Sequence, residues 1–96
     1  MGPQSNVLFR KLCYLLHRGL VESRKLSQQG KSEQVFDLAD AFEQVPGLIT
    51  DWQEEHLGLI RSNLRTYQGK YGPLAFDYLG ILEMDDEHFM EVFARW

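Results

Sequence analysis

Residues 57–71, LGLIRSNLRTYQGKY, decide the fold of this chain of 96 residues. Their large apolar and aromatic members recur at spacings of three, four, three and four: Leu57, Ile60, Leu64, Tyr67 and Tyr71. This heptad-like pattern is typical of a helix that packs along one side. Thr50 and Gln53 fit a capping box at its start, and Gly72-Pro73 interrupts the helical pattern at its end.

Breaks at Gly30, Pro46-Gly47 and Gly72-Pro73 divide the chain into segments of helical length. We predict four more helices, over residues 6–29 with Ser5 as N-cap, 32–44, 74–82 with Pro73 as a suitable first residue, and 85 or 86 to the end. Leucine occurs 14 times against ten β-branched residues, and no stretch alternates like a strand. The sequence predicts an all-α compact bundle of four to five helices, a single domain over 1–96 with residues 1–5 as a flexible start.

Composition narrows the class of protein. The chain is 44% hydrophobic and 25% charged, which is typical of a globular domain. No wholly apolar run approaches the roughly 20 residues of a membrane-spanning helix, so we expect no membrane span. Cys13 is the single cysteine, which excludes an internal disulfide and a cysteine-built zinc site. We therefore expect a cytoplasmic protein.

Charge is segregated along the chain, whose net charge is −4. Residues 1–31 carry a net +5, whereas residues 32–60 carry seven acids and no Lys or Arg. In one interpretation the basic flanks of the first helix pack beside the acidic second and fifth helices. In another, the acidic run is a docking face that attracts a basic partner. A nucleic-acid contact by the first helix is disfavoured, because the chain is acidic and lacks a recognised motif.

The candidate catalytic and metal-binding residues also fit ordinary structural roles. His17, His56 and His88 show no metal-ligand spacing, although acids precede two of them. Asp37 and Asp40 share a helix face that we expect to be solvated, and Cys13 is expected to be a buried structural thiol. The sequence therefore favours a protein that is not an enzyme and that uses no cofactor and no metal.

Aromatic residues suggest contact surfaces. Trp52 lies in the first turn of the third predicted helix, and Trp96 ends the sequence. Each must pack on the body of the protein or meet a partner. A homodimer that buries one of them is an open alternative.

Two stretches resemble a family of small, all-helical, largely uncharacterised bacterial proteins. These are Leu38-Ala39-Asp40-Ala41-Phe42 ending at Val45-Pro46, and Tyr67 to Tyr71 followed by Phe76-Asp77-Tyr78-Leu79. Some members look like immunity-type proteins that neutralise a toxin. The chain differs from them at Glu43-Gln44, where they carry His-Asn. The resemblance implies a helical protein-binding function and assigns no binding residue.

The sequence as a whole predicts a non-enzymatic, immunity-like or inhibitor-like module that docks an acidic helical face on a basic protein. The residues predicted to lie at that contact are Glu33, Asp37, Asp40, Glu43, Trp52, Glu54 and Glu55. One alternative is a self-associating helical subunit or scaffold component. An alternative of another class is a metal-dependent hydrolase that uses His56 or His88 with nearby acids.

Overall fold

The computed structural model describes residues 3–45 and 53–95, with side chains described from residue 7 onward. Within those ranges the chain forms five helices and no strand, which confirms the predicted all-α bundle. The helices are α1 (Pro3–Gln28), α2 (Ser32–Glu43), α3 (Glu55–Tyr71), α4 (Tyr78–Glu83) and α5 (Asp86–Ala94). None of them combines the length and hydropathy needed to cross a bilayer.

The long helix α1 is the centre of the bundle. It contacts α2, α4 and α5, while α3 packs between α2 and α4. Leu12 and Leu15 of α1 are buried almost completely. Where α1 packs on α2, a Cβ placed on Gly19 would lie 3.2 Å from Cε2 of Phe42. The small residue therefore lets the Phe42 ring lie against the α1 backbone.

The repeat in α3 packs as its spacing predicts. Leu57, Ile60, Leu64 and Tyr67 are buried, and Tyr71 is half-buried at the end of the helix. The predicted start of this helix is wrong, since α3 begins at Glu55 and Gln53 lies before it.

A histidine contact replaces the predicted cap at the start of α3. The backbone amide of Gln53 donates to Nδ1 of His56 over 3.3 Å, and Glu54 at the N-cap makes no side-chain capping bond. Thr50, the other half of the predicted capping box, lies outside the described residues.

Two other helix starts also differ from the sequence prediction. α1 begins at Pro3, so Ser5 lies inside the helix and is not its N-cap. Proline suits the first turn because backbone N–H groups there have no partner within the helix, so the N–H that proline lacks is not needed. α4 begins at Tyr78 and not near residue 74, because the Asp77 side chain caps it by accepting a hydrogen bond from the Gly80 amide over 2.9 Å. Pro73 is therefore not helical.

The remaining ends follow the sequence closely. Gly30 has a φ of 74°, the left-handed conformation expected just after α1. α2 ends at Glu43, one residue before the predicted end. Asp85 caps α5 by accepting from the His88 amide over 2.9 Å, as the acidic run before this helix predicts.

The interpretation of charge packing is correct for the neighbouring helices but wrong for the ion pairs of α2. α1 does contact α2 and α5. Glu33 and Asp37 of α2, however, pair with Lys70 of α3. In α1, Lys11 is buried and donates to the Met84 carbonyl over 3.0 Å, and the Arg18 guanidinium lies 4.2 Å from the Phe76 ring centroid.

We predict that the Leu15→Ala substitution lowers the free energy of unfolding by about 2–5 kcal/mol, because it leaves a cavity on the fully buried side of α1. Denaturant unfolding followed by circular dichroism measures the change. Leu59→Ala on α3 is the matched control, since Leu59 is 48% exposed and should change stability by less than about 0.5 kcal/mol. Equal losses in the two variants would contradict the central place of α1.

Candidate functional site

Three acids of α2 lie on the flank that faces α3. Glu33, Asp37 and Asp40 follow one another at spacings of four and three, which places them on one side of the helix. Leu38 and Phe42 on the opposite side are buried in the core. Burial of that apolar stripe therefore fixes which side of α2 presents its carboxylates.

Two of these acids form a network with the end of α3. Lys70 Nζ lies 2.9 Å from Asp37 Oδ2 and 3.3 Å from Glu33 Oε1. The Tyr71 hydroxyl also donates a hydrogen bond to Asp37 Oδ2. The hydrogen bonds from Tyr71 and Lys70 lower the pKa of the Asp37 carboxyl, so this carboxylate is ionised at neutral pH.

A groove of about 270 Å³ separates α2 from α3 beside this network. Its polar lining includes the exposed Asp40 together with Gln44, Asn63 and Thr66. The Asn63 side chain is held in place because its Nδ2 donates to the Ala41 carbonyl over 3.0 Å. Carboxylate, amide and hydroxyl oxygens in one groove can accept hydrogen bonds from the ammonium or guanidinium group of another protein.

The structure separates the predicted contact residues into different places. Asp37 and Asp40 line the α2–α3 groove. Glu43 is on the flank toward α1, where it lines a groove with Leu16 and Leu20. Trp52 lies outside the described residues.

Glu54 and Glu55 line another groove, of about 340 Å³. Lys11, Arg61 and Asp86 line it with them, so acids and bases share this space. The predicted acidic residues of the second and third helices therefore do not converge on a single groove.

Sequence analysis missed the two α3 residues that complete the acidic network. Lys70 and Tyr71 stand 33 or more positions from the acids they contact. The heptad repeat gave Tyr71 a core position, and only the antiparallel packing of α3 on α2 brings its hydroxyl to Asp37. The available signal for Lys70 was the order of charge in the sequence, since the basic segment 61–70 directly follows the acidic segment 32–60.

The sequence also did not identify which cation of α1 is buried. Lys11 is only 3% exposed, and burial lowers the pKa of its ammonium group despite the nearby charges of Asp86 and Asp85. The amine also lies 5.5 Å from the Phe89 ring centroid. Lys11 therefore links α1 to the start of α5 and to the buried face of α5.

The histidines and the cysteine have ordinary structural surroundings. His56 is buried at the start of α3, whereas His88 is exposed in the first turn of α5. Cys13 is half-buried, less than predicted, and partial burial raises the pKa of its thiol. Among residues with described side chains, no three His, Cys, Asp or Glu side chains are grouped to hold a metal ion.

Comparison with known proteins adds no relative. No protein-family model, curated protein or solved structure matches this chain. The resemblance to immunity-type helical proteins therefore stays a prediction from the two short sequence stretches.

We predict that carbon-detected NMR places the pKa of Asp37 below the ordinary 3.8 and that Tyr71→Phe moves it upward, because the phenol donates to the carboxylate. The stability contributed by ionised Asp37 is complete above the ordinary pKa and is lost as pH falls through the lowered value. Tyr67→Phe is the control, since the Tyr67 hydroxyl contacts Gln34. An unchanged Asp37 titration in Tyr71→Phe would contradict the network.

Proposed function

We propose that this protein is a non-enzymatic binding module that docks the acidic flank of α2 on a basic protein. Glu33, Asp37 and Asp40 define this flank, and the α2–α3 groove lies directly beside it. The observation that carries the proposal is the exposed Asp40 carboxylate in a groove whose other oxygens also accept hydrogen bonds. A guanidinium or ammonium group of the partner would satisfy several of these acceptors at once.

The Lys70 network supports recognition by fixing the geometry of the acidic flank. Lys70 contacts both Glu33 and Asp37, and its ammonium offsets one of the three carboxylate charges. The flank keeps a net negative charge, while Asp37 is held in one place by Tyr71 and Lys70. Fixed acceptors lose less conformational freedom on binding than mobile ones, which favours a specific contact.

The class of partner follows from this chemistry. A row of fixed carboxylates can take the place of phosphates on a surface that otherwise binds nucleic acid. We therefore propose a basic enzyme or toxin of a bacterial cell as the partner, in an immunity-like or inhibitor-like role. Cytoplasm is the proposed compartment, because the single cysteine, Cys13, is unpaired.

We predict that reversing the charge of Asp37 and Asp40 together to Lys slows association with the basic partner by at least about tenfold at low salt. Proteins captured from the source cell's lysate at about 0.15 M salt, where the screening length is near 8 Å, supply the partner for rate measurements. Asp40→Lys alone leaves the Lys70–Asp37–Tyr71 contacts in place and should slow association to a smaller extent.

The matched control reverses Glu87 and Glu91, two exposed acids one turn apart on α5. This variant has the same net charge as the Asp37 and Asp40 variant but an intact α2 flank. We expect its association rate to fall much less. Equal slowing in both variants would show that only net charge matters and would sink the proposed docking flank.

A further inference from the structure

α1 and α2 together present an apolar face that the bundle leaves open. On α1, apolar residues and the small thiol follow the heptad spacing of four, three and four: Phe9, Cys13, Leu16 and Leu20. On α2, Phe36 and Ala39 lie one turn apart, and Ala39 lines a mainly apolar groove with Leu16 and Leu20. The exposed acid Glu43 lines the same groove. We call the five apolar residues and Cys13 the α1–α2 face.

Exposure marks this face as unusual. Among the residues whose side chains are described, four large apolar residues are exposed, and three of them belong to the α1–α2 face. Leu20 is 62% exposed and Phe36 is 70% exposed. Isolated exposed apolar residues are common, but a cluster on two adjacent helices marks a surface that another molecule covers.

The charges at the two borders of the face are opposite. Along the outer border of α1, the exposed Arg10 and Arg24 stand two heptads apart. Along the outer border of α2, the exposed Glu33 and Asp40 stand one heptad apart. Positions seven apart lie on nearly the same line of a helix, so each helix edges the face with one sign of charge.

We propose that two copies of this chain pair through the α1–α2 face about a two-fold axis that runs parallel to the two helices. α1 and α2 are antiparallel neighbours, so this rotation places α1 of one protomer over α2 of its partner. The basic border of one copy then meets the acidic border of the other, twice. An axis perpendicular to the helices would set α1 against α1, where the basic borders repel.

The seam on α1 fits such an arrangement of four helices. Phe9, Leu16 and Leu20 would pack between the two copies, while the borders occupy the positions that flank the seam in helical bundles. Gly19 lets α2 lie close to α1, which keeps Leu16 and Ala39 in one continuous groove. Pairing through this face leaves the α2–α3 groove open at its Asn63 and Thr66 side.

The first experiment is sedimentation velocity of the purified chain across a dilution series, with no other protein present. We expect the wild type to shift toward twice its monomer mass as concentration rises. Leu20→Glu and Phe36→Glu should stay monomeric, because each places a charge in the apolar seam. Leu59→Glu, an exposed leucine on α3 outside the face, should dimerise like the wild type. A wild type that stays monomeric at the highest concentration, or equal dissociation in all three variants, overturns the proposal.

A charge exchange tests the axis itself. Arg24→Glu and Asp40→Lys should each raise the dimer dissociation constant by at least about tenfold, since each variant opposes like charges twice. An equimolar mixture of the two variants should recover dimers, because opposite charges then meet at both borders. No recovery in the mixture overturns this two-fold arrangement.

This result is separable from the proposed docking function. Arg24 lies on α1, outside the α2–α3 groove, so Arg24→Glu should lose dimerisation and still bind a basic partner, because its Asp37 and Asp40 carboxylates are intact. Leu20→Glu and Phe36→Glu leave Asp37 and Asp40 intact. They therefore test pairing whether or not the Asp37 and Asp40 variant loses partner binding.

Discussion

The burial of α1 on several sides at once is the constraint on which the rest of the structure depends. α1 is the longest helix, and α2, α4 and α5 all pack against it. Leu12 and Leu15 take the core side, while Tyr14 meets the ring of Phe89 at 6.0 Å near the α5 end. The two C-terminal helices, of six and nine residues, are too short to be stable alone, so their stability comes from docking on α1 and, for α4, also on α3.

The same packing explains why a strongly cationic helix can be central. Lys11 lies in the core side of α1, but its ammonium finds the Met84 carbonyl and the face of Phe89. Arg18 stacks against Phe76, and the carbonyl of Arg18 accepts the Tyr78 hydroxyl over 2.8 Å. The aliphatic stems of such residues pack like apolar ones when the charged ends have partners. Basic residues in α1 are therefore partly structural, while the exposed ones, among them Arg10 and Arg24 of the outer border, are available for contact.

On α2, by contrast, the charged residues are acids and all lie outside the core. Its apolar stripe is buried between α1 and α3, and every acid is left on the remaining surface. Lys70 and Tyr71 order the two acids nearest α3, while Asp40 stays exposed in the adjoining groove. The proposed docking flank and the proposed pairing face thus meet along one helix, and both use charges that core packing directs outward.

The sequence alone determined the helical class, because the spacing in residues 57–71 and the scarcity of β-branched residues admit little else. It also located Gly30 after α1 and narrowed the cap of α5 to Asp85 or Asp86, since both signals act within one turn of the chain. Its errors at Pro73 and Gln53 arose where Asp77 and His56 provided other local caps. Tertiary structure decided which charges are buried, that Lys70 meets Asp37, and that Glu54 and Glu55 lie apart from that pair. These contacts join residues far apart in sequence, and the crossing of helices, which no local spacing encodes, places them together.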